Sequence, residues 1–218
     1  GWERPIYFST TAGLPGGDNF QGIKTYLQQE ALAYRLIPVK AGAVMNQEVT
    51  FNKLTKEFDY GNLIDESISY TDDYNRMVSG TQRVYLALAN SYIQSGKKEK
   101  AKELMDFYKT KISNVNFPWS RESATYLDVI YSAYGKEIGD KEFERISDLQ
   151  FDVISYYIKS GDNSDHKKNH LITSYYTLSR FFMVLQNHER NELAKKLRQK
   201  LDHLDNHYPE IGQMLYAR

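Results

Sequence analysis

Residues 85–108 read YLALANSYIQSGKKEKAKELMDFY. Two small residues in this stretch, Ala89 and Ala101, stand twelve positions apart, with Gly96 between them. Aliphatic and aromatic residues recur on either side of Gly96 at the spacing of one helix face. Glycine often ends a helix because it readily adopts the left-handed backbone conformation. The stretch therefore predicts two helices joined by a turn at Gly96, with the two alanines letting the helix backbones approach closely.

This predicted hairpin resembles one tetratricopeptide repeat, a unit in which paired helices stack on neighbouring pairs. The residues at matching positions are Tyr85, Leu88, Ala89, Tyr92, Gly96 and Ala101. Stacked helical repeats build extended surfaces that bind other proteins. The resemblance implies a scaffold rather than an active site.

The composition is that of a globular chain with balanced charge. Of its 218 residues, 41% are hydrophobic and 26% are charged, with 28 basic and 28 acidic side chains. This balance gives no electrostatic reason to expect nucleic acid as a partner. The chain has no cysteine, which excludes disulfides, thiolate catalysis and cysteine-based zinc sites. Because it opens without methionine, we expect it to be a piece of a longer protein.

The first sixty residues differ from the rest and predict a small α/β subdomain over residues 1–60. The alternating segment Pro5–Thr10 predicts a strand. Asp18 is a suitable N-cap for a helix over about Asn19–Glu30, and the segment ALAYRLIPV predicts a second strand. A helix between two strands implies a parallel, right-handed crossover. A short helix over Glu48–Phe58 follows this strand–helix–strand element.

Residues 61–218 predict a helical, repeat-like domain that forms one compact unit. Residues 59–70 are rich in turn formers, and helical periodicity begins at Thr71. Gly135 and Gly139 are predicted to interrupt it. The fold class is therefore mostly α, with about six helices in antiparallel, tetratricopeptide-like pairs. The predicted helices are Thr71–Ser95, Lys98–Ile112, one opened by Pro118 and Ser120 and ending at Tyr134, Lys141–Lys159, and two around residues 171–185 and 193–204.

A second resemblance rests on three segments: WERPIYFSTT, GGDNFQGIKTYLQQEALAYRLIPVK and FDYGNL. They resemble the region after the last membrane span in a family of bacterial multi-pass membrane proteins related to protein O-mannosyltransferases. The resemblance implies a parent that transfers a sugar from a polyprenyl-phosphate donor, with its acidic catalytic residues between early membrane spans. The present chain would then be a non-catalytic scaffold domain on the periplasmic face of the inner membrane, reached through the upstream spans.

An independent carbohydrate-active enzyme or carbohydrate-binding protein is the alternative function. Such an enzyme needs two carboxylates that face each other across a cleft. The tight acidic groups in this sequence are Asp72 with Asp73 and Asp162 with Asp165. We interpret both groups as helix-capping residues, because acidic side chains are favoured at helix N-termini.

The candidate binding site is a groove on the first helix of the hairpin, for an acceptor protein or a partner subunit. In the repeat register its lining residues are Arg83, Leu86, Asn90, Ile93 and Gln94. Their amide and guanidinium groups are suited to peptide backbone and carboxylate groups. Two other outcomes stay open, because one repeat alone forms no real groove and the following helices can fill it.

No catalytic residue, cofactor or metal ligand is predicted. The loop AGLPGGDN at residues 12–19 precedes a predicted helix and could hold a phosphate, but turn formation explains its glycines. The pairs His166/His170 and His203/His207 each share a helix face, yet they lie in Lys- and Asn-rich stretches. We therefore interpret both pairs as solvated surface.

Overall fold

The computed structural model describes residues 4–10, 21–42, 44–119, 121–160 and 164–208. Of these described residues 67% are helical, and a small sheet lies near the N-terminus, which confirms the predicted fold class. It forms two compact units, Gly1–Pro118 and Trp119–Arg218. The finer boundary near residue 60 stays a prediction.

A three-stranded sheet opens the first unit. Its strands are β1 (Tyr7–Ser9), β2 (Leu27–Glu30) and β3 (Ala33–Leu36), and the one-turn helix α1 (Gln21–Lys24) precedes β2. The strand order is β1–β3–β2, and both pairings are antiparallel. The outer edge of β2 carries a parallel bridge from Gln29 to Met45.

The predicted parallel crossover is therefore wrong, and so is the helix over Asn19–Glu30. Only α1 is helical in the described part of that range, because Leu27–Glu30 is a strand. Two residues join β2 to β3, with Ala31 at a φ of 53°, and so short a link permits only antiparallel neighbours. The buried Glu30 carboxylate accepts hydrogen bonds from the Tyr7 hydroxyl at 3.0 Å and from Arg35 at 3.5 Å, which links all three strands. Asp18 lies outside the described residues.

Three helices complete the described part of the first unit. They are α2 (Gln47–Asn52), which continues into a π-helical turn at Lys53–Glu57, then α3 (Asp72–Gln94) and α4 (Lys98–Lys111). Ala89 and Ala101 are fully buried, and Gly96 between α3 and α4 has a φ of 73°. The hairpin predicted around Gly96 is confirmed.

The core of the first unit contains aromatic rings from both helices of this hairpin. The rings of Tyr85 and Tyr108 meet edge to face, with centroids 5.2 Å apart. The buried Gln82 amide donates to the Tyr108 hydroxyl oxygen and to the Phe117 carbonyl, each at 2.9 Å. The segment after α4 is thereby fixed to the middle of α3.

The second unit contains four helices in its described part: α5 (Ser123–Tyr134), α6 (Lys136–Lys159), α7 (Asp165–Asn187) and α8 (Asn191–His207). Each packs on its neighbour in sequence, and α5 also packs on α7. The predicted helices are thus present, although Ser120 lies outside the described residues.

The prediction that Gly139 interrupts the helix is wrong, because α6 runs through it and only Gly135, with a φ of 85°, separates α5 from α6. Gly139 instead lies directly against the Tyr131 ring, where an added Cβ would overlap three ring carbons. The missing side chain lets α5 and α6 approach closely.

Candidate functional site

The first unit has a cleft of about 580 Å³ among its described residues. Three parts of the chain form its walls: the end of the sheet at Ser9, Thr10 and Leu32, the segment 58–63, and the N-terminal half of α3. These parts are far apart in sequence, so the cleft exists only in the folded unit.

The α3 wall exposes apolar side chains. Tyr74, Met77 and Thr81 follow one another at spacings of three and four residues, which places them on one helix face. Tyr74 is 50% exposed and Met77 is 71% exposed. Large apolar side chains gathered on an exposed surface often mark a binding site.

Tyr60 forms part of the opposite wall and is held by two hydrogen bonds. Its hydroxyl lies 2.7 Å from the Leu54 carbonyl and 2.6 Å from the Tyr85 hydroxyl. Because the carbonyl can only accept, Tyr60 donates to Leu54 and the Tyr85 hydroxyl donates to Tyr60. Burial raises the pKa of Tyr60, so its hydroxyl stays neutral in ordinary buffers. The Tyr60 ring also meets Phe107 edge to face at 6.2 Å.

The turn that carries Tyr60 and the segment after it are fixed by side-chain hydrogen bonds. The Asp59 carboxylate accepts from the Gly61 N–H at 2.8 Å, and Gly61 has a φ of 51°. The Tyr70 hydroxyl donates to the Asn62 carbonyl at 2.8 Å, and the Asn116 amide donates to the Asp65 carbonyl at 2.8 Å. This wall of the cleft is therefore formed in advance of any ligand.

One of the cations in the described lining of the cleft forms no ion pair. This lining includes Arg76, Arg83 and Asp59. Arg76 forms an ion pair with Asp73, the residue one turn earlier on α3. No residue in the described ranges pairs with Arg83, which is exposed. An anionic group in the cleft would meet this guanidinium without displacing a protein carboxylate.

Of the five predicted groove residues, only Arg83 lines the cleft. Leu86 is buried in the core, Asn90 and Ile93 are half-buried, and Gln94 is exposed at the last residue of α3. Near that end α2 packs on α3, and the Gln47 amide donates to the Ser91 hydroxyl at 2.7 Å.

Sequence reasoning missed Tyr60, Tyr74 and Met77 as cleft residues. Tyr74 and Met77 leave no distinct signal, since helical spacing places Tyr74 on the same stripe of α3 as the buried Val78 and Tyr85, and sequence alone therefore predicts core residues there. Tyr60 lies within the segment FDYGNL, which carries part of the second family resemblance, but its position in a wall depends on contacts with residues elsewhere in the chain.

The other predicted sites lie elsewhere. The loop at residues 12–19, Asp162, and the side chains of His166 and His207 are outside the described residues. The other two histidines, His170 and His203, are exposed. The His170 ring stacks on Tyr157, with ring centroids 5.2 Å apart. Within the described ranges, no group of three or more histidine, aspartate or glutamate side chains could hold a metal ion.

The predicted acidic caps occupy the first turns of helices. Asp72 and Asp73 begin α3, although the side chain of Thr71 before them makes no capping hydrogen bond. Asp165 begins α7, where the Ser164 hydroxyl accepts from the Lys167 N–H at 3.2 Å.

None of the helices in the described part of the chain has both the length and the apolar character that a membrane span requires.

Comparison with known proteins finds a similarity in the N-terminal part of the chain. The family model described as TMEM260-associated domain 2 matches residues 1–54, a range that contains the sheet and α2. No curated protein and no solved structure is significantly similar to the chain. The N-terminal quarter is thus similar to a domain associated with TMEM260, which indicates a membrane-protein-associated domain.

Proposed function

We propose that this chain is the non-catalytic interaction domain of a membrane-bound glycosyltransferase and that its cleft binds a polypeptide segment. The segment would belong to an acceptor protein or to a partner subunit. The observation that carries the proposal is the cleft in the first unit, with a fixed wall at Tyr60 and exposed apolar side chains on α3.

The form of the cleft supports a polypeptide ligand. Ligand sites are usually concave, mostly apolar and largely formed before binding, with a few polar groups that fix orientation. This cleft combines aromatic and aliphatic walls with the guanidinium of Arg83 and the hydroxyl of Thr81. An extended segment that places one apolar side chain between Tyr60 and Tyr74 would bury the exposed Met77.

Two similarities support the membrane-bound parent. Residues 1–54 match the TMEM260-associated model, and the segments WERPIYFSTT and EALAYRLIPVK resemble the region after the last span of a glycosyltransferase-related family. On this proposal the parent takes its sugar from a lipid-linked donor, and the domain lies on the periplasmic side. Its contribution is to hold the acceptor or a partner, while the chemistry belongs to the membrane-embedded part.

Carbohydrate binding is the second candidate function, and the half-exposed ring of Tyr74 in the same cleft as Asp59 favours it. A glycosidase would need a second carboxylate across the cleft. Asp59 is the carboxylate among the described lining residues, and it already accepts a hydrogen bond from Gly61. Binding of an oligosaccharide to the 218-residue chain, abolished by Tyr74→Ala, would favour this second function.

A matched pair of substitutions in the membrane-bound parent tests the first function. Met77 in the cleft and Val115 outside it are 71% and 68% exposed, so both positions tolerate lysine with little effect on folding. We expect Met77→Lys to raise the KM for the acceptor protein about tenfold and to leave the KM for the sugar donor unchanged. Val115→Lys should change neither value.

Two results would contradict the proposal. Equal acceptor KM values for the two variants would remove the cleft from acceptor binding. Turnover of lipid-linked or nucleotide sugars by the purified 218-residue chain would show that the domain is itself catalytic.

A further inference from the structure

We infer that the cleft selects polypeptide segments in which an acidic side chain stands beside a bulky apolar one, and that Arg83 contacts the carboxylate. This inference rests on the proposed polypeptide-binding function and names the chemical class of the ligand. Three observations on α3 and the turn at residues 58–63 carry it.

The first observation is the charge of the cleft. Arg76 is neutralised by Asp73, and one oxygen of Asp59 is occupied by the Gly61 N–H. Of the two cations in the described lining of the cleft, Arg83 is the one that has no ion-pair partner in the described ranges. A guanidinium binds carboxylates through two parallel hydrogen bonds, and its energy gain is larger where apolar walls exclude water.

The second observation is Gly80, which lines the cleft in the middle of the 23-residue helix α3. Glycine inside a helix costs about 1 kcal/mol relative to alanine, so its presence needs a reason. No packed neighbour supplies one: the single heavy atom near an added Cβ is Nη2 of Arg83, at 4.0 Å. The missing side chain instead leaves open space in front of the guanidinium.

The third observation is the apolar surface in the same cleft as this guanidinium. Met77 lies three positions before Gly80 on the same helix, and it is 71% exposed. Tyr60 faces the cleft from a fixed turn. A ligand that satisfies Arg83 therefore needs an apolar group close to its carboxylate, which an acidic residue next to leucine or phenylalanine provides.

The test is selection of a displayed library of random seven-residue peptides on the 218-residue chain, followed by affinity measurements with the enriched peptides. Three variants are compared with the unaltered chain. Arg83→Gln removes the charge, and Gly80→Leu fills the space in front of it while improving helix propensity. Lys98→Gln is the matched control, because Lys98 is an exposed cation at the start of α4, outside the cleft.

We expect the enriched peptides to combine Asp or Glu with a neighbouring bulky apolar residue. Their affinity should fall about tenfold or more in Arg83→Gln and in Gly80→Leu, and it should be unchanged in Lys98→Gln. It should also fall with added salt in the unaltered chain. The thermal midpoint of Gly80→Leu should equal or exceed that of the unaltered chain, which separates loss of binding from loss of folding.

The outcomes distinguish this inference from the proposed function. Suppose that the affinity for the enriched peptides falls in Gly80→Leu, but that the peptides contain no acidic residue or bind Arg83→Gln as tightly as the unaltered chain. Either result would overturn the acidic preference and leave the polypeptide-binding cleft standing. Failure to enrich any peptide above an unrelated control protein, or peptides indifferent to both cleft variants, would overturn both.

Discussion

Gly139→Ala is predicted to destabilise the second unit, although alanine is the better helix former. The reason is the Tyr131 ring, which covers Gly139 where α5 meets α6. That ring is held on two further sides. It stacks on His188 with centroids 4.9 Å apart, and its hydroxyl donates to the Asp140 carboxylate at 2.9 Å. Arg190 binds the same carboxylate through its Nε at 2.8 Å, so the anchor of the ring is itself fixed.

The size of the destabilisation by Gly139→Ala follows from opposing effects on the free energy of unfolding. Replacing a helical glycine by alanine stabilises the helix by about 1 kcal/mol. Forcing an extra carbon into a packed contact costs about 1–3 kcal/mol, and loss of a hydrogen bond to a charged group costs about 1.5–3 kcal/mol if the Tyr131 ring must move. We expect a net loss of about 2–4 kcal/mol in the free energy of unfolding.

Thermal and urea unfolding of three chains measures this effect: the unaltered chain, Gly139→Ala and Gly80→Ala. Gly80 is the matched control, since it is also a helical glycine but has open space around it. Gly80→Ala should raise stability by up to about 1 kcal/mol, whereas Gly139→Ala should lower the thermal midpoint by roughly 5–15 °C. In a Tyr131→Ala background the cost of Gly139→Ala should disappear. Equal stabilisation by the two alanines would refute the reasoning.

Three further predictions concern the hairpin, the buried tyrosines and the histidines. Ala101→Arg should lower the free energy of unfolding by at least about 1–3 kcal/mol, because Ala101 is fully buried. Lys97→Ala should change it by no more than about 0.5 kcal/mol, because Lys97 is exposed. Equal melting temperatures for the two variants would contradict this. Burial raises the pKa of Tyr85 and of Tyr108, so their contribution to stability should be complete below about pH 10 and fall as pH rises further; the part of the tyrosinate absorbance that comes from these buried rings should therefore appear only together with loss of helical circular dichroism, and its appearance in a still-folded chain would contradict this. No zinc is expected at the two histidine pairs, since each offers two nitrogens where a structural site needs about four ligands. Stoichiometric zinc in the tag-free protein, measured by elemental analysis, would contradict that.

The helical part of the fold could be predicted from the sequence because its signals are local. Gly96 ends α3 through its own backbone conformation, and the small residues Ala89 and Ala101 mark a close contact within one hairpin. The stripe of Leu171, Tyr175 and Leu178 likewise predicts a buried face of α7, and all three are buried. Each of these features depends on residues a few positions apart, where helix geometry relates sequence spacing directly to spatial position.

The sheet shows where local reasoning ends. The alternating segments around Tyr7–Ser9 and Ala33–Leu36 were predicted as strands, but the strand Leu27–Glu30 between them was predicted as helix. Its few residues LQQE carry little periodic signal, and their extended form is fixed by pairing with β3 and by the contacts of Glu30. Strand direction then follows from the two-residue turn, which no propensity scale reveals.

The sequence by itself determined a mostly helical chain with a close hairpin at Gly96. Tertiary structure alone decided the cleft, because its walls come from residues 9–10, Leu32, 58–63 and 74–83 and meet only after packing. It also decided that Arg83 lines the cleft and is exposed, while Leu86, three residues later, is buried. The physical reason is that helix formation depends on neighbours within a turn or two, whereas a binding surface depends on which faces other elements leave uncovered.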